Sequence, residues 1–216
     1  IHIQALAGEN VGAVSLPFSF MSYVESSSYR AAGLPATGAE VEPLYPDKRL
    51  DAITSFVLDD EYSFDVLRNG REAGRLTITV RMAPDGEFFF ESKRGRLFFS
   101  KYDGMFRFTR LDGNAELLRL LFLAMPSLPP AWRDDLSWVD RVPLGVAFAG
   151  PARFWRRLLL CFAPNRGAVS VRQSFIGALR VKSVREPGGA TDGAYVELDE
   201  NKGFASVKIG GIELRK

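Results

Sequence analysis

Arg75-Leu76-Thr77-Ile78-Thr79-Val80-Arg81-Met82 alternates along its whole length: Leu76, Ile78, Val80 and Met82 fall on one side, Arg75, Thr77, Thr79 and Arg81 on the other. A period of two is the mark of a strand with one buried face and one wet face. The pattern extends both ways. Upstream, Tyr62, Phe64 and Val66 alternate with Ser63 and Asp65, and Asn69-Gly70 separates the two runs. That dipeptide is a hairpin signal because both residues accept positive φ. Downstream, Ala83-Pro84-Asp85-Gly86, Lys93-Arg94-Gly95 and Asp103-Gly104 are turn signals between apolar runs at 87–92, 96–102 and 105–111. Residues 52–58 read as one more strand. Consecutive strands joined by tight turns must pair antiparallel. The expectation is a curved β-meander of five or six strands over residues 51–112.

Residues 114–125 read as a helix, with Asn114 as its cap and Glu116 favoured by the helix dipole. Leu117, Leu118, Leu120, Leu121, Phe122 and Leu123 make it apolar almost all round, so it is expected to be buried. Pro126, Pro129 and Pro130 stop it. Pro151 suits the first position of a second, amphipathic helix reaching Phe162. The C-terminal β/α part, 142–216, is expected to hold a short strand at 142–148, two strands about Gly177, a loop at 186–193, a hairpin around Asn201-Lys202-Gly203 and a closing strand at 212–214. Residues 1–50 are irregular, with a strand broken by Pro17 and a surface loop over 31–46. The fold class expected is α+β, mainly antiparallel β, in a single domain spanning 1–216.

Composition narrows the function. A chain of 216 residues buries roughly 70% of its unfolded surface and needs no staples. A net charge of +2 supplies no field for nucleic acid. Cys161 is the single cysteine, which excludes an internal disulfide and a cysteine-rich zinc site. It lies between Leu160 and Phe162 and reads as an inert buried thiol. His2 is the single histidine, at the N-terminal end, so the nucleophile–histidine mechanisms lack their base. No phosphate-loop or dinucleotide glycine pattern is present. Asp59-Asp60-Glu61 and Asp134-Asp135 are the acidic clusters that a carboxylate-dependent hydrolase would draw on, and Asp134, Asp135 and Asp140 the oxygens a calcium ion would use. Solvated turns are the plainer reading of both. No catalytic residue, metal or cofactor is assigned.

Three features point to binding. Adjacent phenylalanines in a strand face opposite sides of a sheet. Both faces of the 87–92 and 96–102 strands therefore carry aromatic rings, and one face needs cover: its own core, a partner or an apolar ligand. Phe88, Phe90, Phe98, Phe106, Phe108, Trp132 and Trp138 are the candidate residues lining an apolar ligand site. Arg153, Arg156 and Arg157 oppose Trp155 on the second helix, a pattern suited to lipid head groups as well as to packing on a sheet. Trp132 and Trp138 beside acids also suit a sugar platform or a pinned loop. The chain begins at Ile1, which reads as a processed or trimmed product. The resulting expectation is a non-enzymatic binding protein of the cell envelope, periplasmic or otherwise extracytoplasmic. It would hold an acyl chain or other apolar ligand between sheet and helix, or touch the membrane surface. The alternatives are a protein–protein assembly domain of an envelope complex and, third, a carboxylate-dependent hydrolase.

Overall fold

The computed structural model describes residues 5–9, 13–102, 104–148, 168–186 and 193–216. A small pair, β1 (Ala5–Leu6) and β2 (Ser15–Leu16), stands apart. Then come β3 (Phe20–Glu25), β4 (Ser28–Gly33), β5 (Val41–Pro43) and α1 (Lys48–Ile53). The central run is β6 (Glu61–Arg68), β7 (Arg71–Met82), β8 (Phe88–Ser92), β9 (Gly95–Tyr102) and β10 (Met105–Gly113). After it follow α2 (Glu116–Ala124), β11 (Ser127–Leu128), β12 (Ser137–Pro143) and α3 (Leu144–Ala147). The chain closes with β13 (Ala168–Gly177), β14 (Arg180–Glu186), β15 (Ala194–Leu198), β16 (Phe204–Ile209) and β17 (Ile212–Arg215).

The mainly antiparallel β architecture is as expected, but the extent of the sheet is not. Instead of a five- or six-strand meander followed by separate hairpins, one sheet of fifteen strands runs β11-β10-β9-β8-β7-β6-β17-β16-β15-β14-β13-β12-β4-β3-β5. The fusion happens where β17 returns to the start of the meander, with Leu214 opposite Val66 and Ile212 opposite Arg68. A second union is parallel, Ser137 of β12 against Ser28 of β4. Neither pairing leaves a local signal, since the partners lie far apart in sequence.

Hairpin chemistry matches the turns read from sequence. Asn69 and Gly70 both take positive φ, 51° and 77°, between the paired Arg68 and Arg71. Four local expectations need correction. Residues 52–58 hold the end of α1 and an irregular stretch, because Asp47 caps the helix by accepting from the backbone N–H of Arg49 at 2.7 Å while Leu50 and Ile53 turn inward. The surface stretch 31–46 includes the end of β4 and all of β5. Residues 142–148 are split, β12 ending at Pro143 and α3 following. Helix α2 starts at Glu116 with Ala115 as its cap, so Asn114 makes no side-chain cap. The second amphipathic helix, Cys161 and all but the ends of the 186–193 loop lie outside the described residues.

The sheet is curled around α2. The helix packs against β9 and β10 and also against β15 and β16. In the strand order β9 and β15 are six places apart, which in a flat sheet is about 29 Å, far wider than a helix of about 10–12 Å. The sheet must therefore wrap the helix. Side chains close the curl. Ser127 Oγ on β11 donates to Asp140 on β12, Gln173 Nε2 on β13 donates to the same carboxylate, and Ser183 Oγ on β14 donates to the Ala124 carbonyl at the end of α2.

Candidate functional site

Inside the curl, the alternating phenylalanines meet. Phe90, Phe106 and Phe108 are buried, and Phe88 is partly buried against Phe99. Phe56 sits at the centre, with ring centroids 4.8 Å from Phe90, 5.4 Å from Phe99 and 5.7 Å from Phe106. Phe108 reaches Phe122 of α2 at 5.7 Å. Such edge-on and tilted contacts add about 0.5–1.5 kcal/mol each beyond burial. These rings fill the space between sheet and helix with one another. Phe56 carries no periodic signal that marks it as central, since the apolar residues of 52–58 resemble a strand.

Phe98 stands elsewhere. It lies on the outer face with Phe89, centroids 5.0 Å apart. The cover that face requires comes from the protein's own arginines: Arg110 lies 3.8 Å above the Phe98 ring and Arg96 5.1 Å above Phe89. Arg96 of β9 and Arg110 of β10 are thus stacked on aromatic rings.

Trp138 is buried beside Phe175, centroids 5.1 Å apart, and Trp132 is partly buried. Among the described residues the Trp132 indole N–H has no hydrogen-bond partner. Trp138, Asp140 and Val142 share the inward face of β12. Burial raises the Asp140 carboxyl above its ordinary value, opposed by the Ser127 hydroxyl, the positive charge of Arg107, the Gln173 amide and the polar edge of Trp138. The acid clusters are held by cations. Asp135 accepts a two-pronged contact from Arg133 and a bond from Ser27, which keeps it far below the usual carboxylate range. Asp60 pairs with Lys202 at 2.7 Å and is lowered by it, while Asp59 pairs with Arg81. Among the described residues, no group of acids, histidines or cysteines is placed to hold a metal. Arg153, Trp155, Arg156 and Arg157 lie outside the described residues.

Open space lies at the start of α2, where the sheet parts from the helix. Two crevices flank it. One, about 880 Å³, is lined by Thr109, Leu111, Asn114, Arg119, Val146 and Phe148 among others. The other, about 500 Å³, is lined by Val66, Leu76, Thr77, Lys93, Leu117 and Leu118 among others. Arg94, Ala115 and Glu116 line both. Their floors are continuous with the core, since Val66, Leu76, Leu118 and Val146 are buried. Both volumes fall within the roughly 300–1,000 Å³ of small-molecule sites.

The partition between the crevices is built by close backbone approach. Gly95 and Gly113 are opposed in register. A Cβ on Gly113 would lie 2.6 Å from the Arg94 carbonyl, and one on Gly95 2.4 Å from that of Asp112. Gly113 also has φ +88°, a conformation that favours glycine. The Asn114 N–H then donates to the Arg94 carbonyl at 3.0 Å. The 92–95 turn is thereby pinned to the β10–α2 junction, which fixes where Arg94 stands.

Comparison with protein-family models, with curated proteins and with solved structures found no match for this chain. Among the described residues, no helix is long and apolar enough to cross a membrane.

Proposed function

We propose that this chain is a non-enzymatic binding protein of the cell envelope that holds an acyl chain or similar apolar group between sheet and helix. The observation that carries this reading is the pair of crevices beside α2. Their linings mix polar and charged groups with the partly exposed Leu111, Leu117 and Phe148, and their volumes suit a small amphiphile. The filled aromatic core beneath gives them a rigid base rather than a share of the ligand. The first experiment is native mass spectrometry of the purified protein, followed by organic extraction. A lipid bound at defined stoichiometry is the expected result. A ligand-free protein that also fails to take up added amphiphile would overturn the reading.

A second reading, an assembly domain, is favoured by a separate observation. Phe20, Met21, Leu34, Val41 and Tyr45 are exposed on or next to β3, β4 and β5, the three strands that end the sheet on one side, with β5 at its edge. Exposed apolar side chains beside an open sheet edge suit a protein partner. A discrete oligomer in solution that dissociates on Phe20→Ser and Met21→Ser substitution would favour it.

A further inference from the structure

Resting on the binding reading above, we infer that the crevices select a single-chain amphiphile with an anionic head, and that Arg94 and Lys93 recognise that head. The charge balance around α2 carries this. Most charges there are already paired. Arg68 holds Glu116 at 2.7 Å, Arg75 holds Asp65 at 2.9 Å, and Arg110 is shared between Glu87 at 3.6 Å and Asp112 at 3.3 Å. Arg119 donates to the Val146 carbonyl at 3.4 Å, which leaves its charge unbalanced. Lys93 and Arg94 are exposed and have no ion-pair partner among the described residues. Arg94 alone among the cations borders both crevices.

After pairing, three cations therefore stand around the crevices, and the one acid charge left over where Arg110 serves both Glu87 and Asp112 does not cancel them. Leu117 on one side and Leu111 on the other, both partly exposed, would meet a hydrocarbon chain. A carboxylate or phosphate at its end meets a guanidinium that can bind it through two N–H groups. The pinned 92–95 turn fixes the backbone that carries this guanidinium, which lowers the ordering cost of the contact. Sparse pairing with solvent-exposed arginine is common at surfaces. Here it coincides with an apolar crevice, and that coincidence defines the ligand. The occupant is a monomeric acyl anion, not a membrane surface, because the floor lies recessed between sheet and helix.

The test is calorimetric titration with dodecanoate, dodecyltrimethylammonium and dodecyl maltoside, each below its micelle concentration. Wild type is expected to prefer dodecanoate to the cation by about tenfold or more, the size of one charge-assisted contact. Lys93→Gln with Arg94→Gln is expected to weaken dodecanoate by about tenfold and leave the maltoside within about twofold. Arg94→Lys in the wild-type background should keep part of the preference. Both side chains are exposed, so the melting temperature should not move, which separates recognition from folding. Equal binding of all three amphiphiles, or an unchanged preference in the variant, overturns the anionic-head inference while the acyl reading stands. Binding to no amphiphile overturns both. Sedimentation with phosphatidylglycerol vesicles without dodecanoate binding overturns the monomeric occupant in favour of a bilayer.

Discussion

Ser127→Ala should weaken the seam that closes the curl. Ser127 is fully buried and Asp140 is only 8% exposed, and the hydroxyl donates to the carboxylate at 2.5 Å. A hydrogen bond to a charged group contributes about 1.5–3 kcal/mol, and its loss leaves a buried acceptor short of a donor. A loss of about 2 kcal/mol in a domain of this size lowers the melting temperature by about 6 °C. The loss should depend on pH in a definite direction. Asp140 is raised by burial, so the native state holds its proton more tightly than the unfolded chain. Its burial cost is fully present above the raised native pKa and disappears below the ordinary carboxylate value. Removing the hydroxyl that favours the charged form raises the native pKa further. The difference between variant and wild type is therefore largest above the raised native pKa and shrinks as pH falls through that range. Thermal melts of both proteins at neutral pH and near pH 3.5 read this directly, since other titrating groups cancel in the difference. Asp140→Asn keeps an oxygen acceptor and removes the charge, so it should melt at or above wild type at neutral pH. A Ser127→Ala difference below about 2 °C, or one that grows on acidification, would refute the seam as described.

Three further outcomes test the fold. Phe56→Ala should cost about 3–5 kcal/mol by urea denaturation, because it removes the ring around which Phe90, Phe99, Phe106 and Phe204 gather. Arg110→Ala should cost only about 1 kcal/mol, since the ring contact is at the surface, while exposing Phe98 and raising the protein's tendency to associate, measured by light scattering. Gly113→Ala should lose at least about 2 kcal/mol, because both its φ and its contact with the Arg94 carbonyl exclude a side chain, and it should weaken amphiphile binding by displacing the 92–95 turn.

The strands and turns that local chemistry dictates were legible in the sequence. Leu76, Ile78 and Val80 face the core as their alternation required, and Asn69-Gly70 makes its turn. The hairpin about Asn201-Lys202-Gly203 and the break near Gly177 follow the same logic. Pairings between distant strands were not legible, because β17 on β6 and β12 on β4 depend on the whole curl rather than on any window of sequence. Helix α1 had a readable signal, the Asp47 cap with Leu50 and Ile53 three apart, but apolar residues in 52–58 resemble a short strand. Adjacent phenylalanines at 88–90 and 98–99 make the need for cover on both faces legible. Sequence could not show that Arg96 and Arg110 supply it on one face and Phe56 and Phe204 on the other. The crevices were the least visible feature. Lys93-Arg94-Gly95 carries the marks of an ordinary turn, and only its close packing on Gly113 places Arg94 beside α2.

The central claim is that a ligand sits between sheet and helix at the start of α2. Photo-crosslinking with a diazirine-bearing fatty acid, followed by peptide mapping, tests it most directly. Label is expected on peptides carrying Leu111, Leu117 or Val146, competed away by dodecanoate. Label confined to the exposed edge around Phe20 and Met21, or label that dodecanoate does not displace, would contradict it.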